Sequence, residues 1–160
     1  MTAFEYALKF TLEWECGKNP DGSLKDGYVN DPDDAGGETK FGISKRAHPE
    51  LDIKNLNISQ ACDIYYDEYW KPQAEKLPMP LAMVAFDLYV NHSYATAKML
   101  LRDNPDWKKV IQRRKDYRGQ RVFSNPTQER FLKGWLNRDN DLWKACAIWE
   151  ADHGTERVGP

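Results

Sequence analysis

Between Gly17 and Gly42 the chain concentrates Gly, Asp, Asn and Pro so heavily that no helix can run through it, and turns with a short hairpin are expected there. Outside this window the apolar residues recur at helical spacing. The predicted fold class is therefore mostly α, with a small irregular or β lobe after the first helix.

The first helix is predicted over residues 3 to 16, opened by the capping-box pattern Thr2-Ala3-Phe4-Glu5. A second runs from Ile58 to Trp70, capped by Asn57 or Ser59 and closed by Lys71-Pro72. Pro80 starts the next. Leu81, Val84, Ala85 and Leu88 form the stripe of a central core helix that ends near Asn91. Further helices are predicted over 95–101, 106–121, 126–137 and 141–149, with Pro105 and Pro126 at helix starts and a polar, frayed tail from Asp152. At 160 residues and 41% hydrophobic content, one domain over residues 1–160 is expected, with 17–44 as a loop and β region where functional residues are to be sought first and 102–150 as a C-terminal helical part.

Several classes fall away on composition. Cys16, Cys62 and Cys146 are an odd number without CxxC spacing, and His48, His92 and His153 stand far apart, so no disulfide framework, metal or cofactor is expected. The start, MTAFEYALKF, lacks the basic and long apolar segments of a secretory signal, and no run is long enough to span a bilayer. Synthesis in the cytosol without membrane insertion is the expectation. Net charge is −2, yet residues 102–138 hold eleven Lys or Arg against four Asp or Glu. That imbalance implies either a basic face able to meet a polyanion or a solvated helix surface.

Chemistry concentrates at the end of the first helix. With about 100° per residue, Phe4, Ala7, Leu8, Thr11 and Leu12 share a face, and Glu15 falls in its middle while Glu13 lies opposite. A carboxyl on an apolar face either finds a partner, such as a core Arg, or tends to keep its proton, the property a general acid needs. The loop Asn30-Asp31-Pro32-Asp33-Asp34-Ala35-Gly36-Gly37-Glu38-Thr39-Lys40-Phe41-Gly42 offers carboxylates and a hydroxyl that can place water, and glycines that let a ligand approach. Calcium fits poorly: counting from Asp31, an EF-hand-type loop would put Ala35 and Gly42 at two ligand positions.

Glu15-Cys16-Gly17, followed by Gly27-Tyr28-Val29-Asn30-Asp31-Pro32-Asp33-Asp34-Ala35-Gly36-Gly37-Glu38-Thr39-Lys40-Phe41-Gly42-Ile43-Ser44, resembles the signature of the glycoside hydrolase 108 family of N-acetylmuramidases. The family's form is Glu-Gly-Gly-Tyr running into Asn-Asp-Pro-x-Asp-Pro-Gly-Gly-x-Thr-x-x-Gly-Ile. The likeness continues in Ile64-Tyr65-Tyr66, Tyr69-Trp70, Phe86-Asp87, Val90-Asn91 and Phe131 to Leu136. It implies a lysozyme-like domain, with Glu15 as catalytic acid and Asp34 or Asp33 and Thr39 stabilising charge or placing water. Tyr28, Asn30, Gly36, Gly37, Phe41 and Asn91 are the implied substrate-binding residues; Tyr66 and Tyr69 either line the sugar cleft or pack in the core. The implied substrate is the glycan of bacterial peptidoglycan and the implied setting a monomeric phage endolysin in cell lysis, acting at the wall after release from the cytoplasm. No nucleic-acid partner is expected. A lytic transglycosylase and a non-catalytic wall-binding or secretion-associated module are the competing readings.

Two departures stand out. An insertion of roughly ten residues around Lys18 to Asp26 opens the Glu-Gly-Gly-Tyr run, and Cys16 replaces its first Gly. The loop is expected to return to Glu15 all the same, because lengthening a surface loop costs little free energy. Past Leu101 the Asp-Gly-x-x-Gly-Pro-x-Thr stretch of a peptidoglycan-binding region found in relatives is missing.

Overall fold

The computed structural model describes residues 1–33, 37–103 and 106–154. Asp34, Gly36, Pro105 and the tail beyond 154 lie outside the described residues. The chain forms two compact units, residues 1–70 and the part from Lys71 onward. Helices dominate, and the strands form one small sheet in the first unit.

That unit opens with α1, Ala3–Cys16, matching the sequence expectation to the residue. The Thr2 hydroxyl accepts from the Glu5 N–H while the Thr2 N–H donates to the Glu5 carboxylate at 2.7 Å. Such a reciprocal cap contributes about 1 kcal/mol. Ala7, Leu8, Phe10, Thr11 and Leu12 are buried, and Phe4 sets its ring against Tyr66 and Trp70 at centroid distances of 5.1 and 5.5 Å. Gly17, with φ 77°, ends the helix by donating to the Glu13 carbonyl.

The loop window holds more order than a connector with one hairpin. Strands β1 (Val29–Asn30), β2 (Glu38–Lys40) and β3 (Ile43–Ser44) form an antiparallel sheet in that order, pairing Val29 with Thr39 and Lys40 with Ile43. Ile43 is buried, and two lysines fasten the sheet to the following loop: Lys40 Nζ donates to the Lys54 carbonyl at 3.0 Å and Lys45 Nζ to that of Leu51 at 2.6 Å. Helix α2, Ile58–Tyr65, takes Asn57 as its cap, with Gln60 reciprocating. The helical run predicted to Trp70 changes character after Tyr65, because Tyr66–Trp70 is wound as a π-helical turn. Such wider turns are rare and recur at functional sites.

In the second unit, Lys71–Gln73 is a single turn, α3, which includes the proline expected to close the preceding helix. Helix α4, Leu81–Asn91, is the predicted core helix: every residue from Ala82 to Leu88 is buried, so its apolar surface runs all the way round. Helix α5 (Tyr94–Leu100) is capped by Ser93 and α6 (Trp107–Ser124) by Asp106, whose carboxylate accepts from the N–H groups of Lys108 and Lys109. After a 3₁₀ turn at Pro126–Gln128, one helix, α7, runs from Glu129 to His153. The two helices predicted over 126–137 and 141–149 are therefore one.

The reason sits inside the unit. Asp87 is fully buried; Arg138 Nη2 donates to its Oδ1 at 2.7 Å and Arg114 Nη1 to its Oδ2 at 2.8 Å. Arg118 donates to both carboxylate oxygens of buried Asp139, and Arg114 pairs with the same group. Burial works against ionising Asp87, but the Arg138 and Arg114 guanidiniums outweigh it and hold its carboxyl well below the usual range. Arg138 and Asp139 are thus committed to inward partners at the point where Asn137, Asn140 and Asp141 suggest a break, and tertiary pairing overrides weak local propensity. The same network corrects the charge reading: three of the eleven cations in 102–138 are buried ion-pair partners, so they add nothing to a basic face.

Candidate active site in the first unit

Glu15 occupies the last turn of α1 and is partly buried. Its surroundings are set by the turn between β2 and β3. Phe41 and Gly42 form that two-residue turn, with φ of 50° and 76°, the positive pair that a tight hairpin of this hand requires. Gly42 is obligatory: a Cβ there would collide with the Tyr65 hydroxyl and come within 3.3 Å of Glu15 Cβ and 3.5 Å of its Cγ. The glycine thus lets the backbone lie directly along the Glu15 side chain. Phe41 pays the strain of a left-handed non-glycine residue, and two hydrogen bonds hold it there: its N–H donates to the Asp26 carbonyl at 2.7 Å, and its carbonyl accepts from the Tyr65 hydroxyl at 2.9 Å.

Tyr65 is almost completely buried, and its ring lies 5.9 Å from that of Tyr69, which sits in the π-helical turn. The Tyr69 hydroxyl holds its proton more tightly than usual, through burial first and then the nearby charges of Glu68 and Glu15, which puts Tyr69 in the electrostatic reach of Glu15. Tyr66 takes the other fate foreseen for these aromatics, stacking edge-on against Phe4 in the core. Tyr65 was not singled out from sequence for its place at Gly42, whereas Tyr69 was foreseen as lining the sugar cleft or packing in the core; the π turn that re-aims residues 66 to 70 leaves no periodicity signal.

The inserted segment explains how Glu15 and the signature loop stay together. Lys18 bridges Leu24, the Asn19 N–H donates to the Ser23 carbonyl at 2.8 Å, and the Asp21 carboxylate accepts from the Ser23 N–H and hydroxyl. The excursion closes where the Lys25 N–H donates to the Gly17 carbonyl at 3.0 Å. Gly27, at φ 64°, then returns against the helix end, where a Cβ would sit 3.3 Å from Cys16 Cα. The lengthened loop thus comes back to the end of α1 at Gly17 and Cys16. Cys16 fills the space that Gly27 leaves, and burial, with the charges of Glu15 and Asp26, pushes its thiol up to about 11. It stays protonated and is no nucleophile at neutral pH.

The other predicted residues are distributed as follows. Thr39 lies mid-strand in β2 and is partly buried. Asp33 is exposed, its N–H turned back onto the Asp31 carboxylate at 2.9 Å. The Tyr28 hydroxyl donates to Glu38 at 2.7 Å, Asn30 is exposed on β1, and Gly37 has φ 67°. Asn91 belongs to the second unit, on α4, where its side-chain oxygen accepts from Arg118 at 3.1 Å.

A sequence profile described as Glycosyl hydrolase 108 matches residues 8–93, more than half of the chain and the whole span from Glu15 to Asn91. The chain belongs to this family. Membership in family 108 makes it a glycoside hydrolase of the peptidoglycan-cleaving, muramidase-like kind with a lysozyme-like fold. A solved structure titled "Structure of Brucella abortus SagA" is similar in fold, with a TM-score of 0.68 and 22% sequence identity over 94% of this chain and 97% of that one. No curated protein matches the sequence. No described helix is long and apolar enough to cross a membrane.

Proposed function

We propose that the chain is an N-acetylmuramidase that hydrolyses the β-1,4 bond between N-acetylmuramic acid and N-acetylglucosamine. The observation that carries this is the seat of Glu15: a carboxyl on a helix end, with the side-chain-free Gly42 alongside and Tyr65 and Tyr69 close by. Glu15 protonates the glycosidic oxygen as the bond to it breaks, and the positive charge that develops on the sugar is met by a carboxylate of the Asp33–Asp34 pair. Thr39 helps hold the attacking water, and Tyr28, Asn30, Gly36, Gly37 and Phe41 contact the glycan.

In the cell we infer an endolysin of a phage: a monomer made in the cytoplasm that reaches the wall after release and causes lysis, with antimicrobial action when applied from outside. The test is turbidity loss of purified peptidoglycan with the native chain and with Glu15→Gln, which keeps the shape and removes the proton donor. Clearing by the native protein, its loss in a folded variant, and products ending in a reducing sugar are expected. Products ending in a 1,6-anhydro sugar would replace hydrolysis with the transglycosylase reaction, and binding without clearing by either protein would overturn the catalytic assignment.

A further inference from the structure

The second unit carries a small cavity of about 80 Å³ between the end of α4 and the middle of α6, lined by Asn91, His92, Tyr117, Arg118, Arg121 and Trp135. Its walls are unusually cationic for their burial. Arg118 is only 3% exposed and faces both the cavity and the ion network behind it. That network sets three guanidiniums, Arg114, Arg118 and Arg138, against two carboxylates, Asp87 and Asp139, leaving a formal excess of one positive charge inside the protein. Arg121, exposed at the rim, adds a further charge, and both Arg118 and Arg121 lie over the Trp135 ring, at 5.6 and 5.9 Å from its centre.

Polar nitrogens near the cavity also lack partners. His92 Nε2 is buried and has no hydrogen-bond partner among the described residues, and neither has Arg114 Nη2 deeper in the network. Unsatisfied buried polar groups are costly and rare enough to call for a missing partner. Burial first, then the Arg114 and Arg118 charges, pushes the His92 imidazole down to about 3, so the ring is neutral and adds no charge; in the Nε2–H tautomer it offers one donor.

We propose that this cavity is a binding site for a single carboxylate group, taken from a larger ligand that stays outside. The volume admits a planar anion with a water molecule. The planar two-oxygen geometry suits the fork of Arg121 at the rim; Arg118 spends its own fork on Asp139 and Asn91, and contributes its charge and its remaining Nη1 donors. The source of the carboxylate is taken from the muramidase reading. Peptidoglycan presents that group as the lactyl acid of N-acetylmuramic acid without a stem peptide, or as the free carboxylates of the peptide.

The test uses the full chain carrying Glu15→Gln, so that no turnover occurs, followed by NMR of the His92 and Trp135 side chains. N-acetylmuramic acid, N-acetylglucosamine, a stem tetrapeptide and inorganic phosphate are titrated separately. Saturable shifts with N-acetylmuramic acid or with the tetrapeptide are expected, and which of the two acts identifies the source. N-acetylglucosamine, which lacks the carboxylate, should do nothing. Arg121→Gln, at an exposed position outside the ion network, should weaken binding about tenfold while the spectrum stays folded. No saturable shift from either carboxylate, equal shifts from N-acetylglucosamine, phosphate acting alone, or affinity unchanged in Arg121→Gln would each overturn the proposal. Peptidoglycan clearing by the native chain is scored separately, so the carboxylate site and the muramidase reading can fail independently.

Discussion

Replacing Asp87 by Asn should destabilise the second unit more than replacing Arg138 by Met, although each change removes one end of the same 2.7 Å ion pair. Charge balance decides the order. Asp87→Asn leaves three buried guanidiniums with Asp139 alone, an excess of two positive charges, whereas Arg138→Met leaves two of each sign, with Asp87 still held by Arg114 at 2.8 Å. Removing one partner from a buried pair costs roughly 3–5 kcal/mol when a charge is stranded. Losing charge-assisted hydrogen bonds from a network that remains balanced costs about 1.5–3 kcal/mol. Domains have only about 5–15 kcal/mol in total, so the difference is easily resolved. With a urea m-value of roughly 2 kcal/mol/M, the two variants should unfold about 1 M apart, Asp87→Asn first. Urea titration followed by circular dichroism and tryptophan fluorescence measures this. If Arg138→Met costs as much as Asp87→Asn or more, the excess-charge account of this network is wrong.

Two further outcomes follow from the geometry. Gly42→Ala places a methyl against the Tyr65 hydroxyl and Glu15 at a positive φ, so peptidoglycan clearing should fall at least tenfold with about 1–3 kcal/mol lost in stability; a variant with native activity would show that the turn does not position Glu15. The second concerns pH. The folded His92 value lies below the ordinary value of about 6.5, so the unfolded chain takes up the proton first, and stability declines as pH falls from about 6.5 toward 3. The loss by pH 4.5 is on the order of 2 kcal/mol, and melting temperatures of His92→Gln should decline less over that interval, a difference that would vanish if His92 were not held neutral.

What could be foreseen from sequence was what local chemistry decides. The Thr2 to Glu5 cap and the Gly17 stop bound α1, and the stripe from Leu81 to Leu88 placed the core helix. The position of Glu15 among apolar residues followed from the same periodicity. What escaped was decided by partners distant in sequence. The union of 126–137 with 141–149 depends on Arg138 reaching Asp87, fifty-one residues away. The basic run looked like surface because nothing local tells Arg114 or Arg118 from a solvated arginine. Tyr65 reaches the Phe41 carbonyl from twenty-four residues away, the π turn hid the setting of Tyr69, and the third strand was hidden by its two-residue length.

The closure of residues 18–24 at the Gly17 to Lys25 hydrogen bond makes that segment an appendix tied at its root, with a tip ordered by hydrogen bonds of its own. Its length and composition can drift without moving the Glu15 end of α1. This is therefore the place on the chain where a lineage can try new surface chemistry toward a particular cell envelope, and where an engineer can splice a targeting peptide or attach a fluorophore while leaving the turn beside Glu15 as it stands.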